Sequence, residues 1–478
     1  MKHDDKNQSR PGEPAFFEWQ AKPELLPSIP LDIDTAALTR MPLVRAIFTL
    51  ALPASLSMLF LMIFNLVDIW WVGKLGSDYL AGVSAAAFIL WALDAIGALI
   101  STGVTALVAR SVGETNLQKG NQIARQGFWL SLAIGALFAV GGILFSAQTF
   151  RLIGLQGRVY DAAVDYMNWI IPGLPAIFLS YMIESVFRGS GDTRTPLKIM
   201  SMALLLNAAL DPLLIFGWGF FPALEAGGAG LATVLAHVFV SILGWRLLAH
   251  RPISLHPMQS PLLSPSLMWR ICRVGIPISL NGLMFSFSYM ALTGMIVDFG
   301  PGALAALGLG HRIEGIPYLA SMGFAVAAQT LIGQNLGAKK PDRAENSVWL
   351  TVLFVSAFLA VISLCFYLFA EPIFRFFTTD ESVLQEGVRY LKTIAVFELF
   401  LGFEIVLEGA FSGSGNSLPA MLVVVPLTWA RIPLGIFLSK NCGMGSAGIW
   451  WAISSTTAVK GILLAFWFRL GRWKNHAV

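Results

Sequence analysis

Of 478 residues, 56% are hydrophobic and only 13% are charged, and the mean hydropathy is +0.69. A soluble chain carries about a quarter charged residues, so this one cannot cover a water-facing surface, and its class is an all-α polytopic membrane protein. The formal net charge of +4 comes from Lys and Arg flanking apolar runs, which excludes a nucleic-acid patch.

The first 45 residues open on the polar stretch "MKHDDKNQSRPGEP". It lacks the apolar core of a signal peptide and reads as a cytoplasmic tail without fixed structure. Apolar runs then recur, each near or above the roughly 20 residues that cross a bilayer. They predict twelve transmembrane helices, at 46–70, 80–108, 123–147, 158–180, 196–219, 227–249, 268–297, 305–332, 347–370, 385–408, 418–438 and 446–468.

The first span carries Asp68, with Asn65 three residues before it on the same helix face. The second carries Asp94 and the fourth Tyr166. After the fourth comes "ESVFRGSGDTRTP", from Glu184. Gly-Ser-Gly permits a tight turn, Asp192 can cap the next helix, and Glu184 can pair with Arg188 one turn on. Gly189 to Asp192 also spells the Gly-x-Gly-Asp of intramembrane aspartyl proteases. That chemistry needs a second aspartate, typically after a tyrosine on the preceding span, and here the order is Asp165-Tyr166. The fifth span holds Asn207 and Asp211 four apart on one face, then Pro212, which cannot donate to the carbonyl of Ala208. A linker rich in proline and serine occupies 251–267. In the second half, the eighth span carries Glu314 beside Arg312, which suggests a structural pair near a membrane face. The tenth carries Glu398, Glu404 and Glu408, the last two close enough to clash if both are ionised. Cys272, Cys365 and Cys442 have no metal-ligand spacing and read as packing residues.

The phrase at Glu184 returns as "EGAFSGSGNS" at Glu408, 224 residues later. The same offset relates Leu52 to Ile276, Gly113 to Gly337 and Tyr166 to Tyr390. The chain is therefore two copies of a six-span unit, an N-lobe at 46–250 and a C-lobe at 268–470, with a short tail at 471–478. Six is even, so both copies enter the membrane from one side and are parallel repeats. Arg110, Lys119, Arg125, Arg188, Arg194, Lys198, Arg246, Arg251, Lys339 and Lys340 crowd the even connections, and Arg469, Arg472 and Lys474 the C-terminus. By the positive-inside rule both termini are cytoplasmic.

Intramembrane acids are costly and usually functional, and those found in one copy only are the better candidates. Asp68 is matched by Leu292 and Asp211 by Gly435. Lys74, near the end of the first span, is the alternative, purely structural partner for Asp68. Two acids in a low-dielectric wall can hold a proton or exchange it for a cation, so proton or sodium coupling follows. Some of the tryptophan, phenylalanine and methionine side chains could line a cavity for flat cationic compounds.

The stretches "NLVDIWWVGKLG", "RGSGDTRTPL", "LNAALDPLLIFG", "GGAGLAT" and "AAQTLIGQNLGA", in that order, resemble the multidrug and toxic compound extrusion (MATE) family of secondary antiporters. The resemblance implies two pseudo-symmetric six-helix lobes set as a V around a cleft. It implies export of organic cations, drugs or amphiphilic metabolites, driven by proton or sodium entry through a plasma (bacterial inner) membrane. Residue by residue, the family's N-lobe site falls on Asp68, Asn207, Asp211 and Tyr166, with Glu184 at a further polar position. One branch has a glutamate in the seventh helix and an aspartate in the tenth; here Phe285 and Leu401 stand in those places, with Glu404 one turn on. Asp68, Asp211, Asn207, Tyr166, Glu184 and Asn65 are thus the main candidates for the pocket, and Glu404, Glu408, Glu314 and Asp94 the secondary ones. No catalytic or metal site, cofactor or partner protein is called for. A flippase of lipid-linked precursors is the alternative, but it wants a basic cavity, and Arg431 is the one deep base found in the spans. An intramembrane enzyme is the third reading, and no nucleophile or His-Glu-x-x-His motif supports it.

Overall fold

The computed structural model describes residues 37–219, 221–255 and 263–475. The N-terminal tail up to residue 36, the middle of the central linker (256–262) and the last three residues lie outside them. Among the described residues thirteen α-helices form: α1 (Leu43–Gly73), α2 (Ser77–Gly113), α3 (Leu117–Leu152), α4 (Gly157–Ser190), α5 (Arg194–Phe216), α6 (Ala226–Leu248), α7 (Pro265–Ile296), α8 (Pro301–Gly337), α9 (Pro341–Leu368), α10 (Ala370–Phe377), α11 (Glu381–Gly413), α12 (Leu418–Ile436) and α13 (Ser446–Arg469). Eleven are long and apolar enough to cross a membrane by composition alone. The twelfth is α11, whose 33 residues include Glu398, Glu404 and Glu408; these acids dilute its hydropathy while its length still spans the bilayer. The short α10 is an addition the apolar runs did not predict.

Several helices outrun their apolar stretch. The second span, expected at 80–108, becomes a 37-residue helix, because continuing the helix satisfies the backbone groups that would otherwise face lipid. Polar side chains set the ends. Asn116 Oδ1 accepts from the Lys119 amide at 3.0 Å. Ser264 caps α7 with Pro265 in its first turn, where a missing N–H costs nothing. Gly191 and Gly415, at φ 93° and 84°, end α4 and α11 in the left-handed region, which is what the repeated Gly-Ser-Gly supplies. Asp192 Oδ1 then accepts from the amides of Arg194 and Thr195 at 3.1 and 2.9 Å, as the sequence led one to expect.

Helices α1–α6 form one lobe, and α7–α9 with α11–α13 the other. The lobes meet through α1 against α8 and α2 against α7 and α8. A Cβ on Gly275 would strike the Leu99 carbonyl, and one on Gly113 the Gln334 carbonyl, so only glycine lets these backbones touch. Around them Gln329 donates to Thr102 O (3.1 Å), Thr330 to Arg188 O (3.0 Å) and Gln334 to Gly189 O (3.0 Å). These contacts run from the α2–α3, α4–α5 and α8–α9 connections inward to the middle of α2, where Leu99 and Thr102 lie. The start of α1 crosses over: Ala46, Ile47, Leu50 and Ala51 are buried with Phe324, Ala327 and Leu331 of α8.

Candidate functional site

Between the lobes lies a cavity of about 520 Å³. Its N-lobe wall takes Asp94 from α2 and Tyr181, Glu184 and Arg188 from α4. The Tyr181 hydroxyl donates to Asp94 at 2.8 Å. Arg188 pairs with Glu184 at 2.6 Å, the one-turn pair that the spacing suggests. His237 of α6 also lines the wall, its Nδ1 2.8 Å from Ser180 Oγ.

The C-lobe wall is richer in charge. Glu314 accepts from the Tyr390 hydroxyl at 2.9 Å. It forms no ion pair with Arg312, which is exposed: a helix turns about 100° per residue, so a side chain two positions away faces nearly the opposite side, and the expected structural pair is replaced by a place on the cavity. Glu404 is paired with Lys460 of α13 at 2.7 Å, and Lys460 is only 1% exposed. That lysine gives Glu404 a counter-charge, so of the two neighbouring glutamates Glu404 is the one held in an ion pair. Arg431 of α12 donates to Thr456 and Thr457, both at 2.9 Å. Phe285 packs on Tyr289 at 4.5 Å, and Tyr289 on His311 at 4.8 Å.

The acids expected to dominate sit elsewhere. Asp68, Asn207 and Asp211 are buried inside the N-lobe, Asp211 and Asn207 completely, and none of them lines the central cavity. Thr233 of α6 donates to Asp68 at 3.0 Å, and Asn207 Nδ2 to Asp211 at 3.5 Å. The two carboxyls are neighbours, and a direct contact between them would be carboxyl to carboxyl. Ionised carboxylates only accept, so such a contact needs a shared proton or cation, and Asp68 Oδ1 and Asp211 Oδ2 have no donor. Tyr166 is buried beside Thr233. Lys74 lies over the Trp70 ring at 3.6 Å rather than on Asp68.

Asn65 is a correction. It is exposed, because α1 is rotated so that Phe64 and Asp68, four apart, point inward together; Thr233 takes the place beside Asp68 that Asn65 was expected to fill. A second correction concerns basic residues: Arg431 is joined in depth by Lys460. Both Lys460, inside "SSTTAVKGILL", and His237, inside "VLAHVFV", are visible in the sequence as polar residues within apolar runs. A third is Cys442, which is exposed and not a packing residue.

The MatE family model matches the chain twice, at residues 53–213 and 277–437. The chain belongs to the MatE family. The two matches begin 224 residues apart, the repeat offset seen in the sequence. Among relatives, a probable multidrug resistance protein NorM of Thermotoga maritima is 26% identical over 91% of this chain and 94% of its own. An FAD transporter of Shewanella oneidensis is 26% identical over 90% and 95%. The solved structure of an outward-facing multidrug resistance MATE family transporter superposes with a TM-score of 0.86 at 22% identity, covering 93% of this chain and 99% of that one. A Pyrococcus furiosus transporter, described as having a pocket of reversed polarity, has the same score and coverage. The fold is that of these MatE structures, twelve transmembrane helices in two lobes, and the protein is integral to a membrane.

Proposed function

We propose that this chain is a cation-coupled antiporter that exports organic cations, drugs or amphiphilic metabolites by alternating access. The observation that carries it is the separation of two sites. The Asp68–Asp211 pair is sealed within the N-lobe, while a cavity large enough for a drug-sized molecule lies between the lobes. Helices α1 and α6 serve both: α1 gives Asp68 to one and Ser57, Met58 and Leu61 to the other, and α6 gives Thr233 and His237. A proton or sodium ion bound at the aspartates therefore acts on the walls that hold the substrate. The names of the relatives, multidrug resistance proteins among them, support the same reading.

The cavity favours a cation. Asp94, Glu184, Glu314, Glu404 and Glu408 outnumber Arg188 and Arg431 along it, and Tyr181, Tyr289 and Tyr318 offer ring faces for flat positive groups. The same excess of carboxyls speaks against a pyrophosphate-bearing lipid. Nothing in this scheme requires a bound cofactor or partner protein. The chain's division into lobes at 46–250 and 268–470, with cytoplasmic tails and linker in a plasma membrane, completes the proposal. On that orientation the lobes touch at their cytoplasmic ends, which is the outward-facing state. Purified protein in liposomes should move an organic cation against its gradient when a pH or a sodium gradient is imposed. Indifference to both gradients would refute the coupling, and dependence on sodium at constant pH would assign the ion.

A further inference from the structure

The repeat places a different charge at the same register in each lobe. Arg431 follows Asn207 by 224 residues, and Thr457 follows Thr233 by the same number. In the N-lobe the threonine donates to Asp68; in the C-lobe its counterpart accepts from Arg431. The acids that would complete an ion pair are gone, for Leu292 stands in the register of Asp68 and Gly435 in that of Asp211.

The guanidinium has no ion-pair partner among the described residues. It is 3% exposed, held through Nε and Nη2 by Thr456 and Thr457 at 2.9 Å, while Nη1 is buried without an acceptor. It lines the central cavity and lies 6.0 Å from the Phe285 and Tyr289 rings. None of the acids lining the cavity, Glu408 included, is within ion-pair distance of it among the described residues. Glu404 is taken by Lys460 and Glu314 by the Tyr390 hydroxyl, while Lys460 itself adds a second positive charge nearby. A buried guanidinium is costly without a counter-charge, and its planar fork is the natural receptor for a carboxylate.

We propose that Arg431 receives an anionic group of the transported molecule, so that the pocket takes amphoteric aromatic substrates carrying both an amine and a carboxylate. The aromatic body lies against Phe285 and Tyr289, the carboxylate meets Nη1, and the amine faces the acids across the cavity. Two hydroxyls fix the fork in place, so little order is lost when the anion arrives. The proposal rests on the reading of the central cavity as the substrate site.

A matched pair of dyes tests it: a rhodamine methyl ester, which is a permanent cation, and its free acid, which adds a carboxylate to the same rings. Binding to purified protein is read by fluorescence anisotropy, and efflux in liposomes. In Arg431→Gln the acid should bind at least about tenfold more weakly while the ester stays within about twofold, as expected for losing one charge-assisted contact. Equal losses for both dyes, or none for the acid, would overturn the assignment. Thr457→Val, which removes one hydroxyl from the fork, should weaken the acid by about threefold and spare the ester. It decides the matter if the glutamine variant does not fold, since unchanged acid binding there would also overturn it. A wild-type protein that exports the ester but ignores the acid defeats this inference alone. One that neither binds nor moves either dye defeats the exporter reading with it.

Discussion

Asp68 and Asp211 are buried without an ion-pair partner, and each keeps one oxygen that no donor reaches. Asp68→Asn retains the shape and the Thr233 contact but cannot ionise, so gradient-driven efflux should fall to background while expression and melting temperature hold. Asn65→Ala, three residues from Asp68 but off its buried face, should transport as wild type because its side chain is exposed. Wild-type efflux in the first variant, or loss in the second, would reverse the assignment of this site. Glu404 poses the opposite case. Its partner Lys460 is 1% exposed, and removing one member of a buried pair costs about 3–5 kcal/mol. Glu404→Gln should therefore lower thermal stability sharply, and the double variant with Lys460→Met should recover most of it. A double variant no more stable than the single one would mean the two side chains do not depend on each other.

The elements were largely legible because the bilayer imposes them. Long apolar runs have one structural outcome in lipid, and the repeat offset pinned the lobes through pairs such as Glu184 and Glu408. What could not be read was rotation about a helix axis. Asn65 and Asp68 are three apart and looked like partners, yet the buried face is set by Phe64 and Asp68. The pairing of α11 with α13 through Glu404 and Lys460, 56 residues apart in sequence, is likewise a product of packing. Helix α10 was missed for a different reason: its eight residues are too few for a periodic signal. The start of α5 shows local sequence acting as expected, and it can be tested. Asp192 caps the helix and also pairs with Arg251 at 3.0 Å. Asp192→Asn keeps an acceptor for the cap, whereas Asp192→Ala loses cap and pair; the cap alone is worth about 1 kcal/mol. The alanine variant should melt below the asparagine one in detergent, and equal melting would remove the cap from the account.

At the scale of the whole molecule the lobes are held together at one end. Gly275 and Gly113 each admit a neighbouring carbonyl where any side chain would collide, and three cross-lobe hydrogen bonds lie along the same seam. If substrate is taken up from the cytoplasm, this same surface must part, and a covalent tie across it should stop transport without touching the cavity. Gly333 and Ala109 suit such a tie, since a Cβ on Gly333 would stand 2.8 Å from that of Ala109, and disulfides ask for roughly 3.5–4.5 Å, within a small relaxation. The cross-link is made in a chain whose own Cys272, Cys365 and Cys442 have been replaced. Oxidised Ala109→Cys/Gly333→Cys should bind dye from the side opposite the tie, yet fail to carry it across the bilayer, and a reductant should restore flux. Each single cysteine should be indifferent to oxidant. Undiminished transport by fully cross-linked protein would show that the lobes need not separate along α2 and α8, and the alternating motion would have to be sought within one lobe.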